Sequence, residues 1–238
     1  MIARYDLLYD LNGFDFYQWL PVAVARGATE IVFGTKGHRE SIWPADVLRK
    51  RFETIIAPGP ALIGLPCREG DDGERVGSCK LKDFVAFVRH NKFPRLRSVL
   101  PPSPARYTIT LRHQERKSPY RNSNEAAWRT FADEIGAVVI EDFDVKPIHL
   151  HERMALYAGA EMNFGVACGP TFLCSVTEYP CMIFNWGCQR KFHAKVGLRY
   201  GEQMPWFGKD QIAVWGSDDL ATIRSSFAAW KESRARTL

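Results

Sequence analysis

The sequence predicts an α/β fold: two Rossmann-like halves whose parallel sheets face a common cleft. Three observations carry this expectation. Short apolar, β-branched runs alternate with stretches that are apolar at helical spacing, the pattern of parallel sheets built from right-handed crossovers. The prolines of PPSP, 101–104, suit an extended linker and divide the chain into 1–102 and 103–238. The stretch EMNFGVACGPTFLCSVTEYPCMIFNW, 161–186, reads as strand, Gly-Pro turn, short helix and second strand. Strand, glycine turn and helix N-terminus in that order make a ready anion site.

Bulk properties limit the function classes. The 238 residues, 46% hydrophobic and 25% charged, have ample material for a core and describe a soluble globular chain. No apolar run reaches the roughly 18 residues a membrane helix needs. The opening MIARYDLLYDLNG carries acids among its apolar residues and lacks the apolar core of a signal peptide. Six cysteines form no C-x-x-C pair, and most lie in apolar runs, so they are read as reduced and the protein as cytoplasmic. A net charge of +5 fits anionic substrates or peripheral association with a membrane surface. It is not the dense basic stripe of a nucleic-acid binder.

In order, Tyr5 to Leu11 reads as a strand ended by Asn12-Gly13, and Asp15 opens a helix stopped by Gly27. TEIVFGT, 29–35, is the next strand, and Pro44 opens the helix PADVLRKRF. Thr54 to Ala57 reads as a strand before the P-G-P of 58–60, and polar, Gly-rich 66–78 as a mobile surface loop. Leu81 to His90 has Leu81, Phe84, Val85 and Val88 at helical spacing, and Leu96 to Leu100 reads as a strand. Beyond the prolines, YTITL (107–111) is a strand. Asn124 caps a helix whose Ala127, Trp128, Phe131 and Ile135 share one face and which Gly136 stops. Ala137 to Ile140 is a strand and Leu150 to Ala160 a helix. After the Gly-Pro stretch, 187–210 is irregular, Ile212 to Trp215 is a last strand, and Asp218-Asp219 open a final helix.

Two places carry candidate chemistry. At the turn, Gly169 permits a sharp bend, Pro170 presets the first helical φ, and Thr171 begins a run of unpaired backbone N–H groups. The loop RHQERKSPYR, 112–121, follows a strand and places Arg112, Arg116, Lys117 and Arg121 toward the ligand crevice of a doubly wound sheet. Guanidinium groups bind diphosphate bidentately, and Arg112 lies nearest the strand end. His113 beside it reads as exposed. His149, His151 and Glu152 lack a third ligand position and read as structural, with no metal site. Asp142-Phe143-Asp144 mimics a nucleotide-sugar Asp-x-Asp in the wrong setting. No G-x-S-x-G, Walker loop or G-x-G-x-x-G occurs. The aromatics at 184–207 read as core or lid.

Residues 148–186 resemble the nucleotide-binding half of heptosyltransferase-like glycosyltransferases of the GT-B fold. That family runs a Leu- and Ala-rich helix, an apolar strand, Asp-Thr-Gly-Pro, a helix ending before proline and another apolar strand. HLHERMALYAGAEMNFGVACGP and TFLCSVTEYPCMIFNWG keep this order, and RYDLLYDLNG (4–13) resembles a strand-and-turn segment of the family. The resemblance implies a nucleotide-diphosphate sugar as donor, held by Gly169, Pro170 and Thr171 with Arg112, Arg116 and Arg121. It implies inverting transfer to a carbohydrate or lipid-linked acceptor in polysaccharide biosynthesis, with no metal or other cofactor. The half 103–238 would take the donor and the half 1–102 the acceptor. Ala167-Cys168 replaces the family's Asp-Thr, and Phe172 replaces a common histidine. Asp15 is the candidate general base, with a plain helix cap as its other reading. A non-catalytic nucleotide-binding or scaffold protein of the same fold, or a sugar-nucleotide epimerase, is the alternative.

Overall fold

Every strand pairing in the computed structural model is parallel, in two separate sheets, so the chain is α/β and Rossmann-like in construction. The structure describes residues 1–7, 13–34, 44–77, 80–113, 121–141, 148–186 and 196–236. Its elements are β1 (Ile2–Asp6), α1 (Phe16–Ala25), β2 (Glu30–Gly34), α2 (Ala45–Arg51), β3 (Cys67–Glu69), β4 (Glu74–Arg75) and α3 (Leu81–Val88), then β5 (Tyr107–Leu111), α4 (Glu125–Ile135), β6 (Val138–Glu141), α5 (Leu150–Gly159), β7 (Met162–Val166), α6 (Gly169–Ser175), β8 (Cys181–Phe184), β9 (Gln211–Ala213) and α7 (Leu220–Ala235). The first sheet has the order β3-β2-β1-β4 and the second β6-β5-β7-β8-β9.

Both faces of the second sheet are covered, as parallel strands require. Tyr107, Ile109 and Leu111 of β5 and Met162 and Phe164 of β7 meet Trp128 and Phe131 of α4 and Ile223 and Trp230 of α7. The alternate residues face α5 and α6 in a larger core that also holds Ala3, Tyr5, Ile31 and Phe33 of the first sheet with α1 and α3. One core therefore runs across both sheets. Phe84 of α3 lies 5.4 Å from Phe172 of α6 and 5.5 Å from Trp206, and His151 of α5 bonds the Pro58 carbonyl at 3.1 Å.

The second face of the first sheet carries Ile2, Arg4, Asp6, Val32 and Gly34. No helix among the described residues covers it. Instead the four residues 70–73 cross it, joining edge strand β3 to the opposite edge strand β4. Arg4 Nη1 donates to the Asp71 carbonyl at 2.7 Å, and Asp6 is held by Arg4 and Arg75 at 3.0 and 2.8 Å. Gly73 has φ +91° and lies so near Ile2 that a Cβ would stand 3.0 Å from its Cγ2, so a side chain there is excluded twice over.

Several boundaries depart from the sequence reading. β1 begins at Ile2 because its ladder with β2 starts there; residues 8–11 of the expected strand lie outside the described residues. Thr54 to Ala57 is not a strand. Phe52–Ile56 continues α2 as a π-helical turn, closed by Ala57 N–H to the Phe52 carbonyl at 2.8 Å, and buries Phe52, Ile55 and Ile56 at helical spacing. The stretch 66–78 is not simply a loop, since it supplies β3 and β4. Leu96 to Leu100 forms no strand: Leu96, Arg97 and Ser98 donate separately to Val176 O, Leu62 O and the Tyr179 hydroxyl. The proline segment is fastened by Ser103 N–H to the Ala155 carbonyl at 2.9 Å. No described helix is long and apolar enough to cross a membrane.

Candidate functional site

The carboxyl ends of β5 and β7 lie side by side, with Thr110 paired to Gly165. In open parallel sheets this is the ligand edge. β7 passes into α6 through Ala167 and Cys168 alone, and the turn is tied internally. Thr171 is buried; its hydroxyl donates to the Val166 carbonyl at 2.7 Å and accepts from Cys168 N–H at 3.1 Å. The Thr171 side chain thus shapes the turn rather than pointing outward. Gly165 is required by closeness, since a Cβ there would stand 2.7 Å from Thr171 Cγ2 and 2.8 Å from the Thr110 carbonyl. Gly169 is required likewise: its Cβ would stand 2.7 Å from Phe14 Cβ. The loop leading into α1 is therefore pressed against the Gly-Pro turn, and Gly169 and Pro170 remain half-buried.

Of the arginine stretch 112–121, the structure describes Arg112 and Arg121. Arg112 continues β5; its N–H donates to Ser123 Oγ at 2.8 Å and its Nη1 to Asn122 Oδ1 at 2.7 Å. Arg121 Nη2 donates to the Ala167 carbonyl at 2.8 Å, fixing a guanidinium against the turn. Arg116 and Lys117 lie outside the described residues, as do Asp142, Phe143 and Asp144. Asp15 occupies the N-cap position of α1 but makes no side-chain cap hydrogen bond; Oδ1 instead accepts from Gln18 Nε2 at 3.3 Å. It is adjacent to Phe14, the residue that touches Gly169. The structure thus gathers Asp15, Arg112, Arg121, Gly169, Pro170 and Thr171 around one turn.

Three residues that sequence reasoning missed complete the surroundings. Arg153 and Tyr157, one helical turn apart on α5, are fully buried beneath the turn. Arg153 Nη1 donates to the Tyr157 hydroxyl at 3.1 Å, which lies 3.0 Å from Thr110 Oγ1 and 3.3 Å from the Pro170 carbonyl. The Arg153 guanidinium stands 5.7 Å from the centre of the Phe14 ring. Burial pushes the Tyr157 hydroxyl up to about 12, against the opposing pull of Arg153. An arginine among Leu150, Met154 and Tyr157 on the core face of α5 was the available signal. Asp218, also buried, accepts from Asn124 N–H at 2.6 Å, Trp128 Nε1 at 2.8 Å and Asn185 Nδ2 at 2.6 Å. It clips the start of α4 to the end of β8, where Asn185 has φ 62°.

The remaining candidates have local roles. His113 is exposed. His149 caps α5, accepting from His151 N–H at 3.3 Å. No three His, Cys, Asp or Glu residues cluster as metal ligands among the described residues. Trp206 is core, donating to Ser175 Oγ at 2.9 Å, and Tyr200 is exposed beside Trp215. The cysteines Cys67, Cys168, Cys174 and Cys181 are free thiols. Arg121 on the turn, the buried Arg153 beneath it and Arg112 at the end of the adjacent strand make a positive region suited to an anion with several oxygens. Comparison with family models, curated proteins and solved structures yielded no match.

Proposed function

We propose that the chain is a GT-B-like, metal-independent glycosyltransferase that binds a nucleotide-diphosphate sugar and transfers the sugar to a carbohydrate or lipid-linked acceptor. The observation that carries the reading is Arg121 bonded to the Ala167 carbonyl of the Gly-Pro turn, with Arg112 at the end of the neighbouring strand β5. The half 103–238 holds the donor and the half 1–102 the acceptor. Arg112 and Arg121 take the diphosphate oxygens, with Arg153 as buried positive background. Asp15 removes the proton from an acceptor hydroxyl, whose oxygen attacks the anomeric carbon as the bond to the diphosphate breaks. The arginines stabilise the charge that gathers on the departing diphosphate. Such a transfer inverts the anomeric centre.

Calorimetry with UDP, GDP, ADP and CDP tests the donor half. One of them binds, and Arg121→Ala weakens it at least tenfold, the loss of about one charge-assisted hydrogen bond. Absence of binding to all four by the folded protein refutes the proposal. A second reading, a non-catalytic nucleotide-binding protein of this fold, is favoured by one observation. The Thr171 hydroxyl is consumed within the turn and Ala167 offers no acid or base. Nucleotide binding without turnover of any sugar nucleotide, with or without acceptor, decides for it.

A further inference from the structure

The first turn of α1 holds a buried polar atom that no described residue uses. Gln18 is 8% exposed, in a helix whose residues Phe16 to Ala23 are all buried. Its side chain runs back toward the helix start, where Nε2 donates to Asp15 Oδ1. Its Oε1 is buried and meets no hydrogen-bond donor among the described residues. Buried acceptors are nearly always satisfied, because one removed from water without a donor is costly. A leucine of similar volume would fill the same space in a core helix at no such cost. The amide lies at the N-terminal end of a helix that follows β1, hence at the carboxyl edge of the first sheet. It is one turn from Phe14, which touches Gly169.

We infer that Gln18 is a substrate-binding residue whose Oε1 accepts a hydrogen bond from a hydroxyl of a polyhydroxylated ligand, an acceptor sugar, beside Asp15. The inference deepens the transferase reading and rests on it for the identity of the ligand as acceptor. The chemistry selects the class. The site offers the amide oxygen Oε1 next to a carboxylate whose Oδ1 accepts from the same side chain's Nε2. A ligand hydroxyl gives Oε1 its donor while a neighbouring hydroxyl faces the carboxylate, and a carbohydrate presents such groups in fixed geometry. An anion is repelled by Asp15, and an apolar group leaves Oε1 unsatisfied. Gln18 would also hold the Asp15 carboxylate in orientation through Nε2, so one side chain both places the base and selects the hydroxyl.

The test is proton–nitrogen NMR of the full chain, titrated with the methyl α-pyranosides of glucose, galactose and mannose, with per-O-methylated methyl glucoside as the donorless control. Calorimetry with the four nucleoside diphosphates runs in parallel. The Gln18 side-chain amide signals shift with at least one free-hydroxyl glycoside and stay still with the methylated one. Gln18→Leu lowers that glycoside's affinity at least tenfold while its Tm equals or exceeds the wild-type value. Gln18 signals unmoved by all three glycosides overturn the inference even where a nucleotide binds. A marked fall in Tm on Gln18→Leu also overturns it, because Oε1 would then serve the fold. A Gln18 response with no nucleotide binding upholds the hydroxyl site and removes the transferase reading alone.

Discussion

Removing the Asp218 carboxylate tests whether the segment that anchors Arg112, Ser123-Asn124, is held in place from behind. Asp218 accepts three hydrogen bonds, from Asn124 N–H, Trp128 Nε1 and Asn185 Nδ2. Asp218→Ala strands all three donors. Hydrogen bonds to a charged group contribute roughly 1.5–3 kcal/mol each. Trp128 is wholly buried, so its indole N–H has no recourse to water and loses the full amount. The Asn124 and Asn185 donors are part-buried and recover some of theirs. The expected loss is on the order of 4 kcal/mol, a large share of a typical domain's stability. Asp218→Asn retains the shape but turns an amide toward a donor, and loses roughly 2 kcal/mol on the same reasoning. Urea unfolding followed by tryptophan fluorescence measures both, with the m-value checked for constancy. Because Asn124 follows Ser123, which anchors Arg112, the proposed nucleotide binding should also weaken in Asp218→Asn. If Asp218→Ala unfolds within about 1 kcal/mol of wild type, the carboxylate is not the clip between α4 and β8 and the account is wrong.

Gly169→Ala drives a methyl into Phe14 and destabilises by about 1–3 kcal/mol, the usual range for overpacking; a double-mutant cycle with Phe14→Ala should show part of that loss recovered, and strict additivity would deny the contact. Tyr157 has its folded-state pKa raised to about 12 by burial, against 10.0 unfolded. Its contribution is therefore complete below pH 10 and is lost as pH rises toward 12, because the folded form keeps a proton that the unfolded form has released. Tyr157→Phe should make the alkaline fall in stability shallower, and an unchanged slope in urea titrations between pH 9.5 and 11.5 counts against the assignment. Arg121→Ala should also flatten the salt dependence of nucleotide affinity by about one ion pair, read by calorimetry from roughly 50 to 200 mM salt; an unchanged slope places the nucleotide elsewhere.

The alternation of strands and helices was legible because local chemistry and tertiary role agree there. YTITL is rich in β-branched residues and lies inside its sheet between β6 and β7, and Asn124 and Gly136 bound α4 as cap and left-handed stop, Gly136 at φ +66°. The Gly-Pro turn was also readable, since it follows an apolar strand. What failed was whatever depends on neighbours distant in sequence. CRE and ER carry no apolar signal, so β3 and β4 exist only because β2 and β1 offer free ladder edges. Phe52, Ile55 and Ile56 have helical spacing, but taken as a short run after PADVLRKRF they look like a strand. Arg153, Tyr157 and Asp218 declare their roles only when burial is known. Gln18 was hidden for the opposite reason: within an otherwise apolar helix, one glutamine looks like an exposed position.

The crossing of 70–73 over the first sheet has a consequence for how that sheet comes apart. A single segment, 67–75, supplies both outer strands, one on each side of the β2–β1 pair. Neither edge can peel away without pulling on a four-residue tether laid across the middle. The two edges should therefore open and close as one cooperative unit. In hydrogen exchange, amides of Arg68 and Arg75, at opposite borders of the sheet, should share one opening free energy. A protease cut between Asp71 and Asp72 would free both borders together while leaving the central pair in place.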